Sequence, residues 1–242
     1  MPRLINTILG KVKGTLNDLT FFYKNNVQFV KSRKKPHSKS FRNSVLAKNN
    51  RRQFANSHFF SKIITKEKEI YDLWKSAKVK GSSPYFKVHS YNRTRCTHKG
   101  LTENNVITPD SIPISVENLI LRKDTLSFSF KLYRKNNDYL SAPFSIFICA
   151  MLTNGVIPSD LSGVYEDFYI VNIAEEISEY TDVNVNINKR LSDIEIPNSK
   201  FLYIFIAAVK KLDGSFEWSS TFTKMFDISA FNNKWYLDSE IK

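Results

Sequence analysis

The 242 residues are 42% hydrophobic and 14% aromatic, enough apolar material for a sizeable core, which excludes a wholly disordered chain. The seven glycines, from Gly10 to Gly214, are too scattered to form a phosphate-cradling loop. Charge is more informative: residues 1–100 carry 23 Lys and Arg against 4 Asp and Glu, net +19, and residues 101–242 are net −6. So cationic a front predicts a polyanionic partner or, alternatively, head-to-tail stacking of identical subunits, basic front on acidic back.

The opening residues, MPRLINTILGKVKG, lack the uninterrupted apolar stretch of roughly 7–15 residues that a secretory signal needs. The longest apolar runs, at 146–152 and 201–209, fall far short of the ~20 residues of a membrane helix. Cys96 and Cys149 lie in different halves of the chain, which argues against a disulfide framework. The expectation is a protein of the cytoplasm, or of a particle assembled there, with no membrane partner.

Residues 15–31 hold two β-prone runs around Asn25-Asn26. Leu19, Phe21 and Tyr23 alternate before the turn, and Val27, Phe29 and Lys31 after it. This predicts a hairpin whose Asn pair tolerates the positive φ of a tight turn. A lone hairpin is marginal and must lean on other chain. Residues 31–43 add Lys31, Arg33, Lys34, Lys35, Lys39 and Arg42 around one Pro, with no aliphatic residue. They predict an extended basic arm and supply the first cluster of candidate polyanion-binding residues.

From residue 44 the period becomes helical. Val45, Leu46, Phe54, Phe59, Phe60, Ile63 and Ile64 recur at helical intervals behind a Ser44 cap. A second helix starts near 65–68, sets Ile70, Leu73, Trp74 and Ala77 on one face, with Trp74 as a structural anchor, and stops at Gly81. A third fits 84–95, with Pro84 in its first turn and Tyr85, Phe86, Val88 and Tyr91 as its apolar side. Residues 44–98 therefore read as a small helical region. Lys48, Arg51 and Arg52 form a second basic cluster, and Arg93 and Arg95 a third beside Tyr91. Phe41, Tyr85 and Tyr91 could stack on bases if exposed; the competing reading packs these rings inside and leaves only the charges outside.

Residues 99–114 mark a change in the sign of the charge and contain Pro109 and Pro113, which predicts an extended linker. Beyond it the pattern is β, with runs at 116–122, 126–133, 144–152, 168–173, 183–187, 201–210 and 216–226. Leu126, Phe128, Phe130 and Leu132 alternate with Ser127, Ser129 and Lys131, so one face is buried and the other wet. Seven strands over 115–229, before a tail at 230–242, predict a β-sandwich. With the hairpin, arm and helices before it, the fold class is α+β.

The last strands resemble the end of a fibronectin type III or immunoglobulin-like domain. FLYIFIAAV at 201–209 looks like that family's F strand, with Tyr203 in the corner-tyrosine place; Gly214 and then Trp218-Ser219 look like the turn and the start of its G strand. The resemblance implies a Tyr203 hydroxyl bonded to the backbone of the preceding corner, a structural Trp218, and no particular activity. The early strand departs from the family, offering Phe128 and Phe130 where a Trp is usual. A second resemblance is one of layout. Gly10-Lys11-Val12-Lys13-Gly14 precedes the hairpin and basic stretch; Arg51, Arg52 and Phe54 follow, then Trp74, Ser90-Tyr91-Asn92 and the sandwich. This order is similar to an uncharacterised family of Bacteroidetes-type proteins, to which no activity is attached.

His89, Cys96 and His98 are the one cluster with metal-ligand residue types, and it lacks a fourth ligand and a close pairing. His37 reads as an arm residue, His58 as a packed helix residue and Cys149 as a buried strand position. Glu166-Asp167 and Glu175-Glu176 read as solvated surface. No nucleophile elbow, Walker loop, dinucleotide fingerprint or zincin motif is present, so no catalytic residue, metal or cofactor is expected. Two functions remain. One is a non-catalytic structural or assembly protein, such as a component of a phage-like particle, that self-associates or docks its basic half on a neighbour or a polyanion. The other is a nucleic-acid-binding accessory protein that ignores base sequence. An enzyme centred on His89, Cys96 and His98 is the distant third.

Overall fold

The computed structural model describes residues 14–16, 19–24, 27–32, 40, 43–122, 125–133, 142–154, 164–174, 181–186, 201–227 and 237–238. The chain divides into two compact units, residues 1–48 and 49–242.

In the first unit, β1 (Gly14–Leu16), β2 (Leu19–Lys24) and β3 (Val27–Ser32) form an antiparallel sheet in that order. The expected hairpin is β2–β3, running in register from Lys24↔Val27 to Leu19↔Ser32. β1 is a further strand outside that expectation, pairing Gly14 with Phe21 and Leu16 with Leu19. The cross-strand rings of Phe22 and Phe29 stack with centroids 5.6 Å apart, and the Lys31 ammonium lies 5.4 Å from the Phe22 centroid. The Asn25-Asn26 turn lies outside the described residues, as do Arg33, Lys34, Lys35, His37, Lys39, Phe41 and Arg42 of the arm.

The second unit is mixed α and β, built on two antiparallel sheets. One runs β10 (Ser215–Trp218), β9 (Phe201–Leu212), β6 (Phe144–Thr153), β7 (Tyr165–Ile173), with β11 (Phe222–Asp227) also on β9. The other runs β12 (Leu237–Asp238), β4 (Ile114–Arg122), β5 (Thr125–Leu132), β8 (Thr181–Asn186). The run expected at 216–226 is thus broken into two strands. Leu126, Phe128 and Phe130 of β5 enter a shared core with Ile146, Ile148 and Ala150 of β6 and Ile204, Ile206 and Ala208 of β9.

Alternate residues of β6 and β9 turn away from that core yet are equally dry. Phe147, Cys149 and Met151, with Tyr203, Phe205 and Ala207, pack against Phe60, Ile63, Ile70, Leu73, Trp74 and Val88 of the helices. Burial on both faces explains why these two strands read as unbroken apolar runs while β5 alternates.

The helices are α1 (Val45–Ile64), α2 (Lys68–Ser76) and α3 (Pro84–Asn92). The Glu67 carboxylate caps α2, and the Ser83 hydroxyl caps α3 ahead of Pro84. In the turn between them, a Cβ on Gly81 would lie 2.7 Å from the Lys87 amide nitrogen, so only glycine passes there. The stripe expected on α1 is only half right. Its buried side is Asn56, Ser57, Phe60, Ser61, Ile63 and Ile64, while Val45, Leu46 and Phe54 are exposed. The buried polar side chains are all bonded: Asn56 donates to the Thr97 carbonyl (2.9 Å), Ser57 to that of His89 (2.9 Å) and Ser61 to that of Ser57 (2.6 Å). Satisfied small residues let α1 lie close to the backbone of residues 89–97.

The segment expected as a linker is packed between helices and sheet. Leu101, Val106, Ile107 and Ile112 are buried. On the helix side, Trp74 Nε1 donates to the Ile107 carbonyl (2.7 Å), and Asn92 both donates to the Val106 carbonyl (3.0 Å) and accepts from its amide (2.8 Å). On the sheet side, Thr221 Oγ1 accepts from the amides of Ile107 (3.0 Å) and Thr108 (2.9 Å), and Thr223 donates to the Asn105 carbonyl (2.7 Å). Trp218 Nε1 reaches the Pro109 carbonyl (3.1 Å), and the Ser220 amide that of Ile112 (2.8 Å). This belt occupies the gap at 219–221 where β10 gives way to β11. Asn92→Leu would strand both Val106 backbone groups in a dry site, lowering the unfolding free energy by about 2–5 kcal/mol. Urea unfolding followed by circular dichroism checks this, and a loss under about 1 kcal/mol would contradict it.

Candidate functional site: a ring ladder on the basic helical face

On α1, Arg51, Phe54, His58 and Lys62 are spaced by three or four residues; on α3 and its cap, Tyr85, His89 and Arg93 follow at intervals of four. Each set therefore lies along one helix face. Where the faces meet, the rings contact in series. Phe86 lies edge-on to Tyr85 (centroids 5.2 Å apart), Tyr85 to His58 (5.4 Å), and His58 stacks with Phe54 (6.4 Å). His89 meets Phe54 edge-on at 4.6 Å, and the Arg93 guanidinium lies 5.7 Å from the Phe54 centroid. The ends of this ladder are its wettest members: Phe54 is 46% and Phe86 52% exposed.

Polar links hold the rungs. The Tyr85 hydroxyl bonds His58 Nδ1, and His89 Nδ1 bonds the Ser57 hydroxyl at 3.0 Å. Burial depresses the His89 pKa, and the charges of His58 and Arg93 lower it further, against a smaller opposing effect of the Ser57 hydrogen bond. Burial also raises the Tyr85 pKa. The surroundings are of one sign: residues 45–64 and 84–95 contain seven Lys or Arg and no Asp or Glu. The acidic residues of the helical layer, Glu67, Glu69 and Asp72, lie on or beside α2.

The expected basic residues separate by position. Lys48, Arg51 and Arg52 are exposed on α1, and Arg93 is exposed at the end of α3. Arg95 is committed elsewhere: its guanidinium stacks on Tyr91 at 4.2 Å, donates to the Tyr91 carbonyl (2.8 Å) and pairs with Asp110 (3.1 Å). Tyr91 donates to Asp110 (2.7 Å) and lies edge-on to Trp74 (5.5 Å), so this ring belongs to the belt. Lys31 stands on the sheet of the first unit.

No protein-family model, curated protein or solved structure matches this chain. Cys96 is buried, and its sulfur accepts from Asn105 Nδ2 at 3.2 Å; burial pushes its thiol up to about 11. Cys149, inside the central sheet, is shifted well above the ordinary thiol range, first by burial and then by Glu166 and Asp167. Among the described residues, no three His, Cys, Asp or Glu gather as metal ligands. Glu166 pairs with Lys66, and Asp167 accepts from the Tyr169 hydroxyl (2.9 Å); Glu175 and Glu176 lie outside the described residues.

Tyr203 differs from the corner arrangement its resemblance implies. Its hydroxyl donates to the Leu101 carbonyl (3.0 Å) in the belt, and burial raises its pKa to about 12. Trp74 and Trp218 are structural in the same way, each donating to the belt. The ladder itself was not anticipated, although the spacings 51–54–58–62 and 85–89–93 were available to signal it.

The depressed His89 pKa has a testable sign. The folded chain binds this proton more weakly than the unfolded one, whose imidazole titrates near ~6.5. Its contribution is full above that value and is lost as pH falls through the depressed one. His89→Gln should flatten the stability profile between about pH 7 and pH 5 relative to the parent. Denaturant melts across that range check it, and parallel profiles would overturn the assignment.

Proposed function

We propose that this is a non-catalytic assembly protein, an immunoglobulin-like body of fibronectin type III kind whose basic N-terminal half docks on a polyanionic partner. The observation that carries the reading is the one-signed surface of α1 and α3, whose remaining sides are consumed by the sheet and the belt. The strand order supports the fold: β4-β5-β8 opposes β7-β6-β9-β10, the arrangement expected of such a Greek-key sandwich. Among the described residues, β7 and β8 each pair on one side only, and such edges suit strand addition by a neighbouring chain. The exposed rings at Phe54 and Phe86 favour a second reading, a monomeric accessory protein of nucleic acid that ignores base sequence.

Sedimentation of nuclease-treated full-length protein at about 50 and 500 mM salt tests both, alone, with polyphosphate and with nucleic acid added back. The assembly reading expects ordered assemblies from the protein alone; the accessory reading expects a monomer that enlarges only when nucleic acid is returned. Both expect polyphosphate binding that weakens steeply with salt, and a loss of about tenfold or more in the Arg51→Glu/Arg52→Glu/Arg93→Glu triple variant at low salt. Protein that ignores polyphosphate at 50 mM salt would overturn the docking of a polyanion.

A further inference from the structure

We propose that the ring ladder across α1 and α3 binds single-stranded nucleic acid, with bases stacking on Phe54 and Phe86 and phosphates tracking Arg51, Arg52 and Arg93. The inference rests on the polyanion reading above and names the partner. Its first support is exposure. α1 buries Phe60, Ile63 and Ile64 together with the bonded Asn56, Ser57 and Ser61, and leaves Phe54 46% exposed on the same ladder as the 52% exposed Phe86. The second is rigidity. Each exposed ring is held from behind by another, Phe86 by Tyr85 and Phe54 by His58 and His89, and those are fixed by hydrogen bonds to one another and to Ser57. Little side-chain entropy is therefore left to lose when a base stacks.

The third support is what each kind of partner would use. A bare polyanion or an acidic protein surface would satisfy the arginines and leave the rings in water. A duplex presents phosphates but hides its base faces. Only an unpaired strand offers both phosphates and open π-faces, the combination that aromatic and basic grooves exploit. The absence of any acidic residue from α1 and α3 removes the repulsion such a strand would otherwise meet.

The test uses the full chain and three probes: labelled oligothymidylate of about 20 nucleotides, a duplex of equal length, and polyphosphate. Phe54→Ala/Phe86→Ala should weaken oligothymidylate binding by about tenfold or more and change polyphosphate binding by less than about twofold. Phe54→Trp/Phe86→Trp should restore it. The parent should prefer the single strand to the duplex. Oligothymidylate binding that is indifferent to the alanine variant, that falls in step with polyphosphate binding, or that no better than matches the duplex overturns this inference while the polyanion reading stands. A parent chain that binds none of the three probes overturns both.

Discussion

Strands β6 and β9 lose water on both faces, and the rest of the second unit is arranged around that demand. One face is met by the sheet carrying β4, β5 and β8; the other is covered by the helices. Leaving only Phe147, Met151 and Phe205 uncovered would forfeit about 1.5–3 kcal/mol each, which in sum rivals a typical domain's entire stability of about 5–15 kcal/mol. The helices are therefore part of what stabilises the sheets, since they keep this second face of β6 and β9 dry. Covering a sheet with helices leaves a seam where backbone must turn between layers. The belt at 101–112 fills that seam and takes hydrogen bonds from both sides, so no backbone run is buried at full desolvation cost.

The seam also fixes how the helices face outward. Asn56 and Ser57 must point at the carbonyls of Thr97 and His89, which sets the rotation of α1 about its axis. With that rotation set, Phe60, Ile63 and Ile64 go to the sheet and Arg51, Phe54 and His58 go to the far side. The exposed ladder is thus tied to the interior: its orientation is determined by buried polar bonds that could not be satisfied if α1 rolled by half a turn.

Periodicity made the strands and helices legible, because period 2 and period 3.6 each survive in the sequence wherever one face is wet. Leu126, Phe128 and Phe130 announced β5 in this way. Where both faces are dry the alternation vanishes, so FSIFICAMLT told of burial without telling that helices supply half of it. The belt was the least legible part. Leu101, Val106, Ile107 and Ile112 follow no period, Pro109 and Pro113 read as a boundary, and the partners at Thr221 and Thr223 lie over a hundred residues away. The basic character of the site was visible in composition alone. Which aromatics share it was not, because Phe54 looks like a core residue until the hydrogen bonds of its neighbours Asn56 and Ser57 decide the rotation.

Charge and rings contribute differently to such a face. Arginines act at a distance and give attraction that salt can screen; rings act only in contact and discriminate between partners of equal charge. His89 lies between these roles. Its burial and the adjacent Arg93 favour the neutral imidazole, so it serves as a rung and leaves the positive charge to the guanidinium above Phe54. A guanidinium keeps its charge across the physiological pH range, whereas an imidazolium would not. The attraction that Arg51, Arg52 and Arg93 supply to an anionic partner is therefore governed by ionic strength, which screens it.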